Sequence, residues 1–336
     1  MKKLSLRFSA GVLVLVVALL GVRLSTSAQS NGLSIVPKLS FTMQAGTQAS
    51  NSLYINNLSR TEPLNIHIQV VDFEASGQSG AAKLLQASDQ PQTSWSLKPY
   101  LSLPDNVTVP AGQSKSIPFT IKLPASIGAG SYYSAVEYIA GSGSTQQQVN
   151  IAASSATLLF INVPGQVNEL MTMENFGFAK SEGANSSSVF QKSPSFFAYT
   201  IKNSGNVAEE PAGSMVIKNI FGHTVANVSN ANPRGQLALI GQTRRFEGCN
   251  PKTTDPGELG KLSNCTPFKL GPGFYTATLV IYYAQNGQQS HQIGATSHFW
   301  VMPLYFVIIF LLVLALIIYA IYRLYHKTSR RHHHHR

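Results

Sequence analysis

Short runs in which apolar and polar residues alternate fill the chain between residues 29 and 302, and they constrain the fold more than any other feature. The clearest are 53–57, 64–73, 116–123 and 275–283. Alternation with period two places one face of a strand in a core, and clusters of Gly, Pro, Asn and Ser separate the runs as turns. No convincing amphipathic helix interrupts them. We therefore predict an all-β fold of antiparallel sandwiches.

The same plan occurs twice along this region. Residues 128–134 match 271–277 at an offset of 143, and residues 160–164 match 299–303 at an offset of 139. Upstream, Pro118-Phe119 matches Pro267-Phe268, and 54–63 and 199–207 are each a strand broken by an Asn-rich turn. A period this long indicates a duplicated domain rather than a solenoid repeat. We predict two tandem Ig-like sandwiches, at 32–165 and 166–302.

Matching tyrosines, Tyr132 and Tyr275, follow the repeated Gly turn in the two copies. We expect each ring to pack in a core with its hydroxyl bonded near the edge of the sandwich, as buried tyrosines usually are. A tyrosine that faces a ligand is the alternative.

The two ends of the chain read as membrane-targeting segments. Residues 1–28 combine a basic start, an apolar run from Ala10 to Val22 and a small-residue stretch ending at Ala28, which is the layout of a cleaved signal peptide. An uncleaved signal anchor is the alternative. Residues 304–322 contain no charge and are long enough to span a bilayer, and a buried core helix is the alternative there. The basic residues of 323–336 predict a cytoplasmic C-terminus.

Net charge argues against a nucleic-acid partner. The formal charge is +11, but nine of these excess charges flank the two apolar segments. The remainder of the chain holds 16 Lys and Arg against 14 Asp and Glu, so its net charge is +2. The excess therefore reports membrane orientation, and no basic surface of the kind that binds phosphate backbones is expected.

Cys249 and Cys265 bracket a polar 15-residue segment in the second predicted domain. An even number of cysteines in an oxidising compartment predicts a disulfide, and a loop tied at its base is our candidate contact surface. The alternative is that the bridge limits fraying and proteolysis. A metal site or a catalytic thiol has little support, because no His is near in sequence.

Motifs of catalysis are missing from the sequence, so we predict a protein that is not an enzyme and takes no cofactor. There is no nucleophile elbow, P-loop or His-Glu-x-x-His pattern. Glu209 and Glu210 precede Pro211 and are expected in a solvated loop. The terminal His run reads as a weak metal ligand, a basic tail or a cloning remnant. The scattered histidines, expected to be structural, are His67, His223, His291 and His298. Five Asn-x-Ser/Thr triplets are read as chance sequons, with glycan sites as the alternative.

The whole layout resembles the WxL-interacting proteins of Gram-positive bacterial surfaces. The local similarity lies in Gly128–Ala135, Leu33–Pro37 and Asn203–Val207. The resemblance implies a first domain associated with the cell-wall polymer and a second domain associated with a host or partner protein. The segment between the two cysteines departs from that family, so no binding residues are carried over.

These observations predict a single-pass cell-membrane protein that binds or scaffolds at the cell surface, with its domains extracellular and its partner a cell-wall polymer or a surface protein. A chaperone or assembly subunit that pairs strands outside the cytoplasm is the alternative function. A receptor is a further hypothesis, which would need a separate signalling partner because the tail is short.

Overall fold

The structure is a computed structural model and describes residues 32–141, 154–252, 264–284 and 291–331. Two β-sandwiches follow each other along these residues, and a helix follows the second. The first contains β1 (Leu33–Ile35), β2 (Lys38–Thr42), β3 (Gln48–Asn57), β4 (Leu64–Val71), β5 (Phe73–Ser76), β6 (Ala81–Leu84), β7 (Leu101–Ser102), β8 (Asn106–Val109), β9 (Ser114–Lys122), β10 (Gly130–Gly141) and β11 (Ser154–Val163), with a 3-10 turn at Lys98–Tyr100.

The second sandwich repeats the plan with fewer strands. It contains β12 (Met171–Ala179), β13 (Ser186–Ser187), β14 (Val189–Phe190), β15 (Phe196–Asn203), β16 (Ala212–Asn219), β17 (Thr224–Val228), β18 (Thr243–Cys249), β19 (Gly273–Tyr283) and β20 (His291–Val301). The helix α1 then spans Leu304–Arg331.

Each sandwich packs a four-stranded sheet on a five-stranded sheet. The orders are β1-β3-β9-β7 and β2-β11-β10-β4-β8 in the first, and β13-β12-β15-β18 and β14-β20-β19-β16-β17 in the second. Neighbouring strands run antiparallel, whereas β2 beside β11 and β14 beside β20 run parallel. In both sandwiches an early strand thus crosses to the second sheet and lies along the last strand. This architecture confirms the predicted all-β fold of two tandem Ig-like sandwiches plus a C-terminal helix.

Period-two alternation explains why the predicted runs form these strands. In β3, Leu53 and Ile55 are buried while Tyr54 between them is exposed. The inward side chains of both sheets meet in one apolar core per sandwich. The second core holds a stack of rings that includes Phe178 and Phe299, whose centroids are 4.3 Å apart. Burial of this area supplies the main driving force for folding.

The two matching tyrosines occupy equivalent positions with equivalent hydrogen bonds. The Tyr132 hydroxyl donates to the Gly128 carbonyl at 3.1 Å, and the Tyr275 hydroxyl donates to the Gly271 carbonyl at 2.9 Å. Burial raises the pKa of both hydroxyls above the ordinary value. The duplication therefore preserves a specific corner at the start of β10 and β19, and each ring packs against its core, as the sequence predicts.

A second repeated feature is a buried asparagine at the end of the strand that precedes the Asn-rich turn. The Asn57 amide donates to the carbonyls of Glu62, Val109 and Pro110. The Asn203 amide donates to the carbonyls of Val207 and Ala238 at 2.7 and 2.9 Å, and its oxygen accepts from the Gly205 N–H. Each side chain thus satisfies backbone groups that would otherwise be buried without partners.

The helix is longer than the predicted span. Its apolar part, Leu304–Leu324, is long and hydrophobic enough to cross a membrane, with a mean hydropathy of 3.1 and none of it buried against the sandwiches. The helix then continues to Arg331, and residues 323–331 include no Gly or Pro that would end it earlier. The signal-peptide region and the terminal His run lie outside the described residues.

Candidate functional site

The junction between the sandwiches is a packed apolar interface. Phe73, Tyr133 and Phe160 of the first sandwich form a buried cluster with Leu239 of the second. The Phe73 and Tyr133 ring centroids are 5.0 Å apart. Burial raises the pKa of Tyr133 above its ordinary range. Because aromatic and aliphatic groups from both sandwiches share this cluster, separating the sandwiches would expose it to water.

Polar contacts at one side of the junction fix the angle between the two units. The Ser131 N–H donates to the Asn206 carbonyl at 3.0 Å, and the Asn206 side chain donates to the Ala129 carbonyl at 3.0 Å. Gly130 has φ of 145°, and a Cβ there would lie 2.8 Å from the Asn206 carbonyl oxygen. Only glycine at position 130 allows the backbone segments around Gly130 and Asn206 to approach this closely.

On another side, the β5–β6 hairpin reaches from the first sandwich onto β18 of the second. The backbone N–H of Arg245 donates to the Gln78 carbonyl at 3.1 Å, and the side-chain amide of Gln242 donates to the Gly77 carbonyl at 3.4 Å. The hairpin tip thereby covers part of the edge of β18, the longest edge strand among the described residues of the second sandwich. An edge that is covered in this way is protected from pairing with another chain.

Glu209 lies beside this junction and corrects the sequence expectation of a solvated loop. Glu210 is exposed and lies 3.7 Å from Lys38 of the first sandwich, but Glu209 is 2% exposed. Its backbone pairs with Ala238 in an antiparallel bridge. Burial, and then the charge of Glu169, raise the pKa of Glu209 from 4.5 to about 7. Sequence reasoning missed this group because a Glu-Glu-Pro turn carries no signal of burial.

The outer face of the β3–β9 pair forms a flat polar surface, which we call the polar face. Cross-strand pairs on it are Ser50 with Thr120, Ser52 with Pro118, Tyr54 with Ser116, and Asn56 with Ser114. Tyr54 is 57% exposed, and the hydroxyls of Ser50 and Thr120 are 3.0 Å apart. The Ser114 hydroxyl also donates to the Asn56 side chain. These residues present five hydroxyls, the Asn56 amide and the Tyr54 phenol ring, whereas Pro118 is apolar, so the face can exchange hydrogen bonds with a polar polymer. Lys122, paired with Gln48 further along the same face, is exposed and adds one charge.

The two predicted site cysteines lie together in the structure. Cys249 at the end of β18 and Cys265 form a disulfide with Cα atoms 5.7 Å apart. Pro251 and Cys265 form an antiparallel bridge just beyond it. The bridge lies at the end of the sandwich from which α1 departs. Most of the intervening segment, residues 253–263, lies outside the described residues, so its contact role stays a prediction.

The histidines named from the sequence are dispersed. His67 lies 3.3 Å from the Asn106 side chain, His298 lies 3.1 Å from the Thr276 hydroxyl, and His291 lies 3.3 Å from the Glu169 carboxylate. Within the ranges that the structure describes, no three His, Cys, Asp or Glu side chains are grouped as a metal site would require.

No family model and no curated protein matches the chain. Among solved structures, the class 5 fimbriae chaperone CfaA is similar at 15% identity and a TM-score of 0.38, over 80% of this chain and 99% of that chain. A chain from a chaperone–tip adhesin complex of CFA/I fimbriae biogenesis gives the same identity and TM-score, over 80% and 98%. The E. coli chaperone DraB matches at 10% identity with a TM-score of 0.35, over 79% and 97%. At these TM-scores the similarities carry no argument about function, and the fold assignment rests on strand order and register.

Proposed function

We propose that the chain is a membrane-anchored cell-surface protein that binds a cell-wall polymer through its first sandwich and a protein partner through its second. One observation carries the anchoring: β20 ends at Val301, and the exposed apolar helix begins three residues later, at Leu304. A helix with no covering inside the protein needs a lipid environment, because the uncharged run 304–322 would otherwise face water.

Charge and redox chemistry support an orientation with the sandwiches outside. Arg323, Lys327, Arg330 and Arg331 follow the uncharged run 304–322, and cytoplasmic flanks are enriched in such residues. The Cys249–Cys265 disulfide is stable in an oxidising exterior and rare in a reducing cytoplasm. Cleavage of a signal peptide after Ala28 would place the mature N-terminus on the same side.

The polar face supports a contact between the first sandwich and the cell wall. A glycan offers many hydroxyl groups that donate and accept, and the Ser, Thr and Asn side chains of this face do the same. The exposed ring of Tyr54 adds an apolar surface to the polar face, and its hydroxyl adds a polar tip. Kinship with the WxL-interacting proteins would imply the same division between the two sandwiches, and the protein partner of the second sandwich rests on that resemblance.

The test is co-sedimentation of the detergent-solubilised full chain with purified cell-wall sacculi. We expect the chain to pellet with sacculi, and we expect Tyr54→Ser to weaken this binding severalfold. Phe221→Ser, which removes an exposed ring from the second sandwich, is the matched control and should leave binding unchanged. Equal pelleting by wild type and Tyr54→Ser would remove the polar face from the proposal, and no pelleting at all would remove the cell-wall polymer.

A second candidate is an assembly subunit or chaperone outside the cytoplasm that acts by strand pairing. The observation that favours it is a surface cavity of about 430 Å³ over β4 and the edge strand β8, lined in part by Ile66, Val107 and Ile139. Strand addition uses main-chain hydrogen bonds at an edge together with pockets for alternate side chains. Against it, the Lys115 ammonium donates to the Thr108 carbonyl at 3.0 Å and occupies part of that edge.

Thr108→Pro separates the two candidates, because proline at the β8 edge removes a main-chain donor. If the chain captures a surface subunit by strand pairing, this variant loses the capture while Tyr54→Ser retains it. The reverse pattern would favour the polar face.

A further inference from the structure

The end of the second sandwich nearest the helix carries a row of outward apolar side chains. Val189 of β14 pairs with Trp300 of β20, and Trp300 pairs with Phe274 of β19. The Phe274 and Trp300 ring centroids are 5.0 Å apart. Val189 and Trp300 are 48% and 42% exposed. Because paired residues share one face of a sheet, these three side chains form a row across three strands.

The β16–β17 hairpin extends this row. Asn219, the last paired residue of β16, lies opposite Tyr275, the neighbour of Phe274 in β19, and Ile220 begins the turn that follows. Ile220 and Phe221 at the hairpin tip are 68% and 81% exposed. Exposed apolar side chains that are grouped in a patch mark sites of interaction with a protein or a membrane. We call the set of Val189, Ile220, Phe221, Phe274 and Trp300 the apolar rim.

The connection to the helix sets the height of the apolar rim. Met302 and Pro303 separate β20 from α1, and Met302 is held to β14 by a 2.7 Å hydrogen bond from its N–H to the Phe190 carbonyl. At ~3.3 Å per extended residue, Leu304 lies ~10 Å beyond Val301. The 21-residue apolar segment of α1 is ~32 Å long and matches a ~30 Å hydrocarbon layer. The rim therefore falls at the depth of the lipid headgroups, where Trp is favoured.

Exposed charges at the same end fit this location. Glu182, in the β12–β13 turn, is the exposed acidic residue among the described residues at this end. The exposed cations there are Lys180, Lys192, Lys218, Lys252 and Lys269. Exposed lysines at this end would be attracted to anionic lipid headgroups.

We propose that the apolar rim inserts into the headgroup region of the outer leaflet, so that the second sandwich stands on the bilayer in a fixed orientation. The lipid surface is the occupant because the rim is continuous with the start of the spanning helix and lies across the strands at one height. This inference rests on the proposed membrane anchoring. A second copy of the chain or a protein partner on the rim would be a different outcome of the test below.

The chain contains two tryptophans, which makes depth-dependent quenching practical. Trp95→Phe leaves Trp300 as the one emitter. A background without tryptophan, Trp95→Phe/Trp300→Phe, accepts a single new tryptophan at either of two positions. Phe221→Trp in this background reports the hairpin tip, and Tyr54→Trp reports the first sandwich as a matched control. Each full-length protein is reconstituted into vesicles that contain anionic lipid labelled with nitroxide either near the headgroup or deep in the acyl chain.

We expect the Trp300 and Phe221→Trp proteins to be quenched more strongly by the shallow label than by the deep label, at every protein-to-lipid ratio. The Tyr54→Trp protein should respond to aqueous acrylamide and to neither lipid label. Rim positions quenched by acrylamide alone would overturn the proposal, and quenching that appears only at high protein density would assign the rim to a second copy. Flotation of the vesicles after alkaline carbonate treatment tests the membrane anchor separately. If the chain floats with the vesicles but the rim positions are not quenched, the proposed anchoring stands and the proposed insertion of the apolar rim is wrong.

Discussion

Asn203 shows how much one buried side chain contributes to the second sandwich. It is fully buried and holds the Val207 and Ala238 carbonyls together with the Gly205 N–H. Replacing it with Ala leaves these groups without partners in a site that water does not reach. Asn57 occupies the equivalent position in the first sandwich, so the same substitution there provides a second test.

We expect Asn203→Ala to lower the free energy of unfolding by about 2–3 kcal/mol, because unsatisfied buried polar groups bear their full desolvation cost. Urea denaturation of the detergent-solubilised chain measures it. The control is Asn56→Ala, which removes an amide from the solvent-facing side of β3 and should change stability by less than about 0.5 kcal/mol. Equal effects from the two variants would contradict the role of Asn203.

Glu209 gives a pH dependence with a defined sign. Its pKa is raised from 4.5 to about 7 in the folded chain, first by burial and then by Glu169. Below pH 4.5 the carboxyl is protonated in both the folded and the unfolded chain. As the pH rises towards 7 the unfolded chain releases this proton first, so the free energy of unfolding falls, by on the order of 3 kcal/mol in total, and stays lower above that range.

Glu209→Gln should therefore be more stable than wild type at pH 8 and should lose this decline between pH 5 and 8. The measurement is urea denaturation at both pH values, with Glu210→Gln, its exposed neighbour, as the control that keeps the decline. An unchanged pH profile in Glu209→Gln would show that another group is responsible.

At the level of elements, alternation predicts strands well and their partners poorly. The runs at 53–57, 64–73, 116–123 and 275–283 all lie within or overlap strands. The predicted equivalence of Pro118-Phe119 and Pro267-Phe268 in the two repeats is wrong. Phe119 lies on β9, whereas Phe268 lies outside any strand, and β18 is the strand of the second sandwich that corresponds to β9. Crossing strands such as β2 and β14 depend on long-range pairing, which local patterns do not encode.

The candidate surfaces were hidden from sequence reasoning for a related reason. The Ser, Thr and Asn residues of the polar face look like any solvated strand face until β3 and β9 are paired. The apolar rim draws single residues from separate strands and one turn, and its members Phe221 and Trp300 are 79 positions apart. The cysteine pair could be predicted because only two cysteines exist in the chain.

The disulfide is an element-scale device that ties the end of β18 to the segment leading into β19. Cys249→Ala/Cys265→Ala should lower the free energy of unfolding by about 3 kcal/mol, because the open loop gains entropy in the unfolded chain. Thermal unfolding with and without a reductant measures it. Reduction should lower the wild-type midpoint and leave the double variant unchanged, and a wild-type midpoint that is insensitive to complete reduction would contradict the expectation.

At the scale of the whole molecule, the packed junction joins the two sandwiches, and a short link joins the second sandwich to α1, the candidate membrane span. Leu239 and Tyr133 share one cluster across the junction, and two residues separate β20 from the helix. Under the proposed anchoring, a contact made by the first sandwich would be transmitted to the bilayer through folded structure rather than through a flexible linker. This arrangement agrees with the proposed function, in which the protein would hold partners at a set distance from the cell surface.

The most direct test of the proposed membrane orientation is to determine on which side of the membrane the sandwiches and the C-terminal tail lie. Ser116→Cys places a thiol on the polar face, and Ser329→Cys places one beyond the apolar segment. In intact cells a membrane-impermeant maleimide should label Ser116→Cys, and it should label Ser329→Cys only after permeabilisation. Labelling of Ser329→Cys in intact cells, with Ser116→Cys protected until lysis, would contradict the orientation and with it the proposed function.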